Sequence, residues 1–223
     1  MSAAPSYAQG QTDTPLLEET IGANLERTVS KFGEHDALVD VPSGRRWTYA
    51  EFDADVNRLA KGLLGIGLEV GDRVGIWSPN CPEWTLLQYA TAKVGVVLVN
   101  VNPAYRTHEL SYALQQSGLR LLVSAESFKG SDYRAMVEEV VAAGDAGSLE
   151  RTVHIGTDEW EALLADGEGL PEDAVAERMS TRYLGENGPK YLAPTLDKPR
   201  WLYRLVPVTM QTWQGQDWAG RYK

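Results

Sequence analysis

The stretch that decides the fold is residues 72–101, which read DRVGIWSPNCPEWTLLQYATAKVGVVLVNV. It opens with a short apolar run at residues 73–77 and closes with a longer one at residues 96–101. Between them, Pro82 to Gly95 has helical spacing, with proline in its first turn and glycine at its end. A strand, a helix and a second strand in this order predict a βαβ unit with parallel strands.

The same alternation continues toward the C-terminus. The sequence predicts strands at residues 119–123 and 152–155, and helices at residues 107–117, 131–143 and 159–165. In the first of these helices, Thr107 is the expected cap and Gly118 the expected stop. Continuous apolar strands of this kind are typical of strands buried on both faces. We therefore predict an α/β fold with a mostly parallel sheet flanked by helices.

On the N-terminal side, a helix and a β-hairpin are expected to precede the sheet. Residues 15–34 carry apolar side chains at helical spacing, and residues 37–41 and 45–49 form two short strand candidates around a Pro-Ser-Gly turn. Thr48 followed by Glu51 three residues later predicts a capping box at the start of the next helix.

Composition and charge restrict the class of protein. The chain has 223 residues, of which 43% are hydrophobic, and a formal net charge of −10. An acidic chain repels phosphate backbones, so we expect no nucleic-acid partner. No run of about 20 apolar residues is present and the N-terminus does not resemble a secretory signal, so we expect no transmembrane segment and a cytoplasmic protein.

The lone cysteine, Cys81, cannot form an intramolecular disulfide, which fits a reducing compartment. Its position in a Pro-Asn-Cys-Pro turn permits two interpretations: a nucleophile or a small turn residue. We favour the turn residue, because no histidine follows nearby to act as a base.

Familiar catalytic motifs are missing. Gly62 to Gly67 has the order GxxGxG, which we interpret as a helix end and turn and not as a phosphate loop. His35, His108 and His154 lie far apart in the sequence. His108 is expected on a helix surface, and His154 is expected to be a structural residue of a strand.

Asn100, Asn102 and Pro103 stand where the strongest apolar strand ends. Ligands of open parallel sheets bind beyond the carboxyl ends of the strands, so these residues are candidates for a ligand contact. Asparagine and proline are also common turn residues, and both interpretations stay open.

The composition divides the chain into three parts: a disordered N-terminus at residues 1–14, the α/β domain at residues 15–180 and a divergent tail at residues 181–223. From Tyr183 to Lys223 the net charge is +3, from six Lys/Arg and three Asp/Glu, and three of the seven tryptophans lie there. Residues 200–209 form a strand candidate. The tail is either a binding patch for peptides or a membrane surface, or an unrelated appendage, which we favour.

Several segments, in a fixed order over about residues 16–180, resemble the N-terminal part of acyl-CoA synthetases of the adenylate-forming superfamily. They are Trp47–Phe52, Gly71–Ile76, Ser78–Asn80, and Asn102–Arg106 with Glu109-Leu110. The pattern Asn-Pro-x-Tyr-x-x-x-Glu-Leu is more similar to medium- and long-chain fatty acyl ligases than to amino-acid adenylating domains.

This resemblance implies a two-step reaction: ATP and Mg²⁺ activate a fatty acid as acyl-AMP, and the acyl group then passes to the thiol of CoA. It places Asn100, Asn102 and Pro103 near the CoA nucleotide. No catalytic or metal-binding residue carries over.

The family's Ser/Thr/Gly-rich phosphate loop is expected soon after residue 180, but Thr181–Glu186 stands there and Gly188–Lys190 is only a faint echo. We therefore expect a fragment that is inactive on its own and self-associates through an exposed sheet edge. The alternatives are a non-catalytic binding module and one half of a split ligase.

Overall fold

The computed structural model describes Leu17 and residues 19–184, and from Thr20 onward the described residues belong to one compact unit. The predicted N-terminal segment, most of the predicted tail, the strand candidate at residues 200–209 and Gly188–Lys190 lie outside the described residues. The helices are α1 (Ile21–Phe32), α2 (Tyr49–Gly65), α3 (Pro82–Val94), α4 (Thr107–Ser117), α5 (Tyr133–Ala142), α6 (Asp158–Ala165) and α7 (Ala174–Leu184). The strands are β1 (Asp36–Asp40), β2 (Arg45–Thr48), β3 (Arg73–Trp77), β4 (Val97–Asn100), β5 (Leu121–Ser124), β6 (Ser127–Phe128), β7 (Ser131–Asp132) and β8 (Arg151–His154).

A four-stranded parallel sheet with the order β4-β3-β5-β8 forms the centre, which confirms the predicted α/β fold. The two central strands are buried on both faces because their side chains alternate between two apolar clusters. Val74, Ile76 and Val123 face the cluster that contains α2, α3 and α6. Trp77 and Leu122 face the cluster that contains α4 and α5.

The strand β4 differs from its prediction. Its continuous apolar run predicted burial on both faces, but β4 lies at the edge of the sheet and Val97 is 47% exposed. Within the described residues it pairs with β3 alone. An apolar run indicates that a strand is hydrophobic, but its position in the sheet depends on which other strands pair with it.

The hairpin and the capping box are both present. Strands β1 and β2 pair antiparallel. The backbone N–H of Glu51 donates to the Thr48 hydroxyl at 3.2 Å, and the Thr48 N–H donates to the Glu51 carboxylate at 2.8 Å. These reciprocal bonds satisfy donors that the first turn of α2 would otherwise leave unpaired.

Gly62 and Gly65 let the backbone of α2 approach the end of α6. A Cβ atom built on Gly62 would lie 2.2 Å from the carbonyl oxygen of Leu163, and one on Gly65 would lie 2.1 Å from that of Asp166. Of the three glycines in this motif, Gly67 is the one with a positive φ, at 78°, which its turn requires. The interpretation of this motif as a helix end and turn is therefore incomplete, because two of its glycines make a helix contact.

Some element boundaries differ from their predictions. The first helix begins at Ile21 rather than residue 15, where the Thr20 hydroxyl caps it. Thr107 is the first residue of α4 and not its cap, a position that Arg106 takes. The sequence patterns did not indicate the β6–β7 pair or α7, which continues through residue 180.

Lys93 of α3 contacts side chains of both α1 and α2. Its side chain is 1% exposed, and its Nζ lies 2.7 Å from both the Asp53 carboxylate and the Asn57 side-chain oxygen of α2. Glu26 of α1 lies 3.9 Å from the same nitrogen. The charge is thus buried together with its partners, as a buried ammonium group requires.

Candidate functional site

The four parallel strands end at the same edge of the sheet, which is the edge where ligands bind in open α/β folds. Asn100 is the exposed last residue of β4, beside Ile76 of β3. Asn102 and Pro103 follow in a turn that leads into α4. The structure therefore places all three predicted site residues together, at the end of the edge strand.

The turn, defined here as residues 100–106, closes on itself through Asn102. The side-chain oxygen of Asn102 accepts the N–H of Ala104 at 2.9 Å, and its backbone carbonyl accepts the N–H of Tyr105 at 3.0 Å. The Val101 N–H donates to the carbonyl of Ile76, which fastens the start of the turn to the sheet. Asparagine thus performs the turn chemistry that its sequence position suggested.

Two buried aromatic residues hold the same turn from inside the protein. The indole Nε1 of Trp77 donates to the Asn102 carbonyl at 3.0 Å, and the Tyr133 hydroxyl donates to the Pro103 carbonyl at 2.5 Å. The two rings are stacked, with centroids 3.7 Å apart and planes at 5°. Sequence reasoning missed both residues, although a tryptophan at the end of an aliphatic strand is a signal for such a role.

The outer surface of the turn is polar and carries charges of both signs. Asn102, Arg106 and His108 are exposed, in a chain whose net charge is −10. The guanidinium of Arg106 also donates to the Ser131 hydroxyl of β7. The exposed carboxylate of Glu109 lies beside them and accepts the backbone N–H of Arg106 at 3.1 Å. The amide of Asn102 and the guanidinium of Arg106 are hydrogen-bond donors of the kind that phosphate oxygens accept.

A second polar group lies at the ends of β5 and β8. The hydroxyl of Ser124 and Nδ1 of His154 are 2.9 Å apart, and both side chains are buried. Burial, together with the charge of Arg134, holds the pKa of His154 below its ordinary value. Glu159 accepts the backbone N–H of His154 and pairs with Arg134. This closed network agrees with a structural role for His154.

Cys81 stands at the cap position of α3, half-buried, with its Sγ 3.4 Å from the Ser78 hydroxyl. Burial raises the pKa of the Cys81 thiol, so the thiolate that would act as a nucleophile is disfavoured. The turn interpretation is the one that this geometry supports.

An open groove of about 520 Å³ lies elsewhere, lined by residues of α1, α2 and α7 and by residues at and after the end of α6. Its lining includes Glu26, Arg58, Lys61 and Glu172, so charges of both signs face it. None of the turn residues lines this groove. We place the candidate site at the strand ends, where the turn geometry and the position in the sheet agree.

Among the described residues, no three His, Cys, Asp or Glu side chains come together as a metal-binding group. Over the same part of the chain, no helix is long and apolar enough to cross a membrane.

Comparison with known proteins identifies the class. A family model described as AMP-binding enzyme matches residues 25–198, so the chain belongs to the AMP-binding enzyme family. The match extends past residue 180, where the sequence-predicted domain ends.

Among curated relatives, the chain is 44% identical over 135 residues to the medium-chain acyl-CoA ligase ACSF2, mitochondrial, of Macaca fascicularis. This alignment covers 60% of the chain and 22% of the relative, so the chain spans less than a quarter of that protein. The recognised resemblance to acyl-CoA synthetases is confirmed.

Solved structures agree. The N-terminal domain of FACL13 from Mycobacterium tuberculosis is 27% identical with a TM-score of 0.60, covering 67% of this chain and 36% of that one. A fatty acyl CoA synthetase from Mycobacterium tuberculosis is 27% identical with a TM-score of 0.59, covering 66% and 28%. The fold is thus that of N-terminal domains of acyl-CoA ligases.

Proposed function

We propose that this chain is an N-terminal part of a medium- or long-chain fatty acid–CoA ligase and that its turn at residues 100–106 contacts the CoA nucleotide. The observation that carries the proposal is the family match over residues 25–198, together with relatives named as acyl-CoA ligases. The exposed Asn102 and Arg106 at the strand ends support the location of the contact.

We further propose that the chain alone does not catalyse the family's reaction. That reaction uses ATP and Mg²⁺ to activate a fatty acid and CoA to accept the acyl group. Proteins usually hold Mg²⁺ through one or two carboxylates together with substrate phosphates and water, and we propose no residue of this chain as its ligand. What this chain contributes is the sheet and the turn that position the nucleotide of CoA.

Pyrophosphate release tests the absence of activity. The purified chain is incubated with ATP, Mg²⁺ and a series of medium- and long-chain fatty acids. We expect no release above a buffer blank. Release that scales with protein concentration and depends on the fatty acid would show that the chain holds an ATP site, and the proposal of inactivity would be wrong.

Isothermal titration with CoA tests the turn. We expect a weak binding heat that is lost in Asn102→Ala and kept in His35→Ala, which changes a histidine outside the turn. Equal binding by both variants would place any CoA site elsewhere. Tight binding by the chain alone would favour the second candidate function, a non-catalytic binding module.

The third candidate, a split ligase, predicts that a separate chain supplies the remaining segments. A neighbouring reading frame that begins with the phosphate loop would favour it. Restoration of pyrophosphate release on mixing the two purified chains would establish it, and no restoration would reject it for that pair.

The edge strand β4 supports self-association of the isolated chain. Its outward N–H and C=O groups have no strand partner in the described part, and Val97 is 47% exposed. We expect concentration-dependent oligomers on size exclusion that Val97→Lys disperses. Val141→Lys is the matched control, because Val141 is 52% exposed on α5, away from the edge. A clean monomer of the unchanged chain would contradict the proposal.

We propose a cytoplasmic location, supported by the single cysteine. The relative ACSF2 is named mitochondrial. Fractionation of cells that express the natural gene with a C-terminal tag decides between the two compartments, and recovery in mitochondria would overturn the proposal.

A further inference from the structure

The turn at residues 100–106 has two carbonyl groups that point into the protein, and each is bound by a different aromatic side chain. Trp77 donates to the carbonyl of Asn102 and Tyr133 donates to that of Pro103. Both donor side chains are fully buried. The carbonyls of two consecutive turn residues are therefore fixed by donors that water cannot replace without opening the core.

The stacked arrangement of the two rings fixes the direction of both donors at once. The rings lie 3.7 Å apart and nearly parallel, in an apolar cluster with Leu110, Leu114 and Val137. Because the two ring faces pack against each other in a dense core, rotation of either ring out of the stack is opposed by its neighbours. The indole N–H and the phenol O–H thus form one rigid pair of hydrogen-bond donors.

Because these contacts hold the turn from inside, its outward side is available to a ligand. In the described part of the chain, the side-chain nitrogen of Asn102 has no hydrogen-bond partner, while its oxygen is used by Ala104. Arg106 is tied to Ser131, two residues before Tyr133, so a third contact links the turn to the same segment. Two backbone carbonyls of the turn thus face inward, while Asn102 and Arg106 are exposed.

We infer that the Trp77–Tyr133 pair is the positioning element of this turn: it holds the two carbonyls inward and so presents Asn102 and Arg106 to the nucleotide of CoA. The identity of the ligand rests on the proposed function, whereas the positioning itself does not. Neither aromatic residue touches the ligand, and both act through the turn backbone.

Amide hydrogen exchange tests the positioning directly. Trp77→Phe and Tyr133→Phe each remove one donor and keep a ring in the stack. Val137→Ala is the matched control, because it opens a cavity in the same cluster without touching the turn. The reporters are the amides of Ala104 and Tyr105, which are hydrogen-bonded within the turn.

We expect exchange at these reporters to rise about thirtyfold in the double phenylalanine variant, since the loss of one hydrogen bond of ordinary net strength corresponds to about fivefold and two are lost. Exchange in β5 should stay unchanged. The alanine control should raise exchange in its own helix but not preferentially in the turn. Unchanged turn exchange in the double variant, or an equal rise in the control, would overturn the inference. If the double variant fails to fold, the Tyr133→Phe variant alone decides, because it keeps the complete ring.

Titration with CoA tests the ligand contact separately from the positioning of the turn. If the unchanged chain binds CoA, Tyr133→Phe should weaken binding several-fold, and Val137→Ala, which also lowers stability, should not weaken it. Equal weakening by both variants would reduce the pair to a general stabilising role and would overturn the inference. No binding by the unchanged chain would reject the proposed ligand contact, while hydrogen exchange would still decide the positioning.

Discussion

A methyl group added at Gly62 tests the contact between α2 and α6. In Gly62→Ala the new Cβ would lie 2.2 Å from the Leu163 carbonyl oxygen, whereas ordinary contacts begin at 3.4 Å. The two backbones would have to separate by about 1.2 Å, from 2.2 to 3.4 Å. The obstacle is backbone, which cannot turn aside as a flexible side chain can.

Two effects of this substitution oppose each other. Overpacking of a close contact costs about 1–3 kcal/mol, and here the upper part of this range applies because the neighbouring residues of α2 are fully buried. Replacement of glycine by alanine inside a helix gains about 1 kcal/mol. We expect a net loss of about 2 kcal/mol in the free energy of unfolding.

Urea denaturation followed by circular dichroism measures this loss, and Gly22→Ala is the matched control. Gly22 is also a buried helical glycine, but its added methyl would meet mainly the flexible tip of Met179 at 2.9 Å. We expect that variant to lie within about 1 kcal/mol of the unchanged chain. If Gly62→Ala were as stable as the unchanged chain, the proposed reason for glycine at this position would be refuted.

Three other changes have defined outcomes. The pKa of His154 is lowered in the folded chain, which therefore binds fewer protons than the unfolded chain. The free energy of unfolding should consequently fall as pH drops below about 6.5. In urea titrations, His154→Gln should flatten this slope between about pH 5 and 6.5, and an unchanged slope would contradict the assignment. Lys93→Met should lower the free energy of unfolding by about 3 kcal/mol, because it leaves Asp53 without its buried partner. Adding Asp53→Asn should recover part of that loss. If the double variant instead lost the sum of the two single-variant effects, the two residues would not act as a pair. Thr48→Ala should cost about 1 kcal/mol through loss of the α2 cap, and a thermal melt identical to that of the unchanged chain would show that this cap contributes nothing.

Glu159 affects stability over a lower pH range than His154 does. The hydrogen bond from Arg134 holds the pKa of Glu159 below its ordinary value, so its contribution is lost only as pH falls below about 4.5. Glu159 and Glu126 act on His154 in the opposite direction to Arg134. A slope above about pH 5 is therefore assigned to the histidine.

The candidate site illustrates how far sequence reasoning reaches. Asn100, Asn102 and Pro103 could be selected because they end an apolar strand, and strand ends of parallel sheets carry ligands. The donors that hold the turn could not be selected in the same way. Trp77 and Tyr133 are 56 residues apart by their numbering, and no local pattern records that their rings stack.

What the sequence determined by itself is local. The alternation of apolar runs and helical spacing defined the α/β class, and Thr48 with Glu51 defined a capping box that the structure contains. Gly95 and Gly118 ended their helices in the left-handed conformation that glycine permits. Such features depend on residues within a few positions of one another, so their patterns are visible in the sequence.

What only the tertiary structure decided is which elements meet. The position of β4 at the sheet edge, the contact of Gly62 with Leu163 and the aromatic support of the turn all join residues distant in sequence. Hydrophobic spacing shows that a face is buried but not which partner buries it, because burial depends on area removed from water and not on the identity of the neighbour.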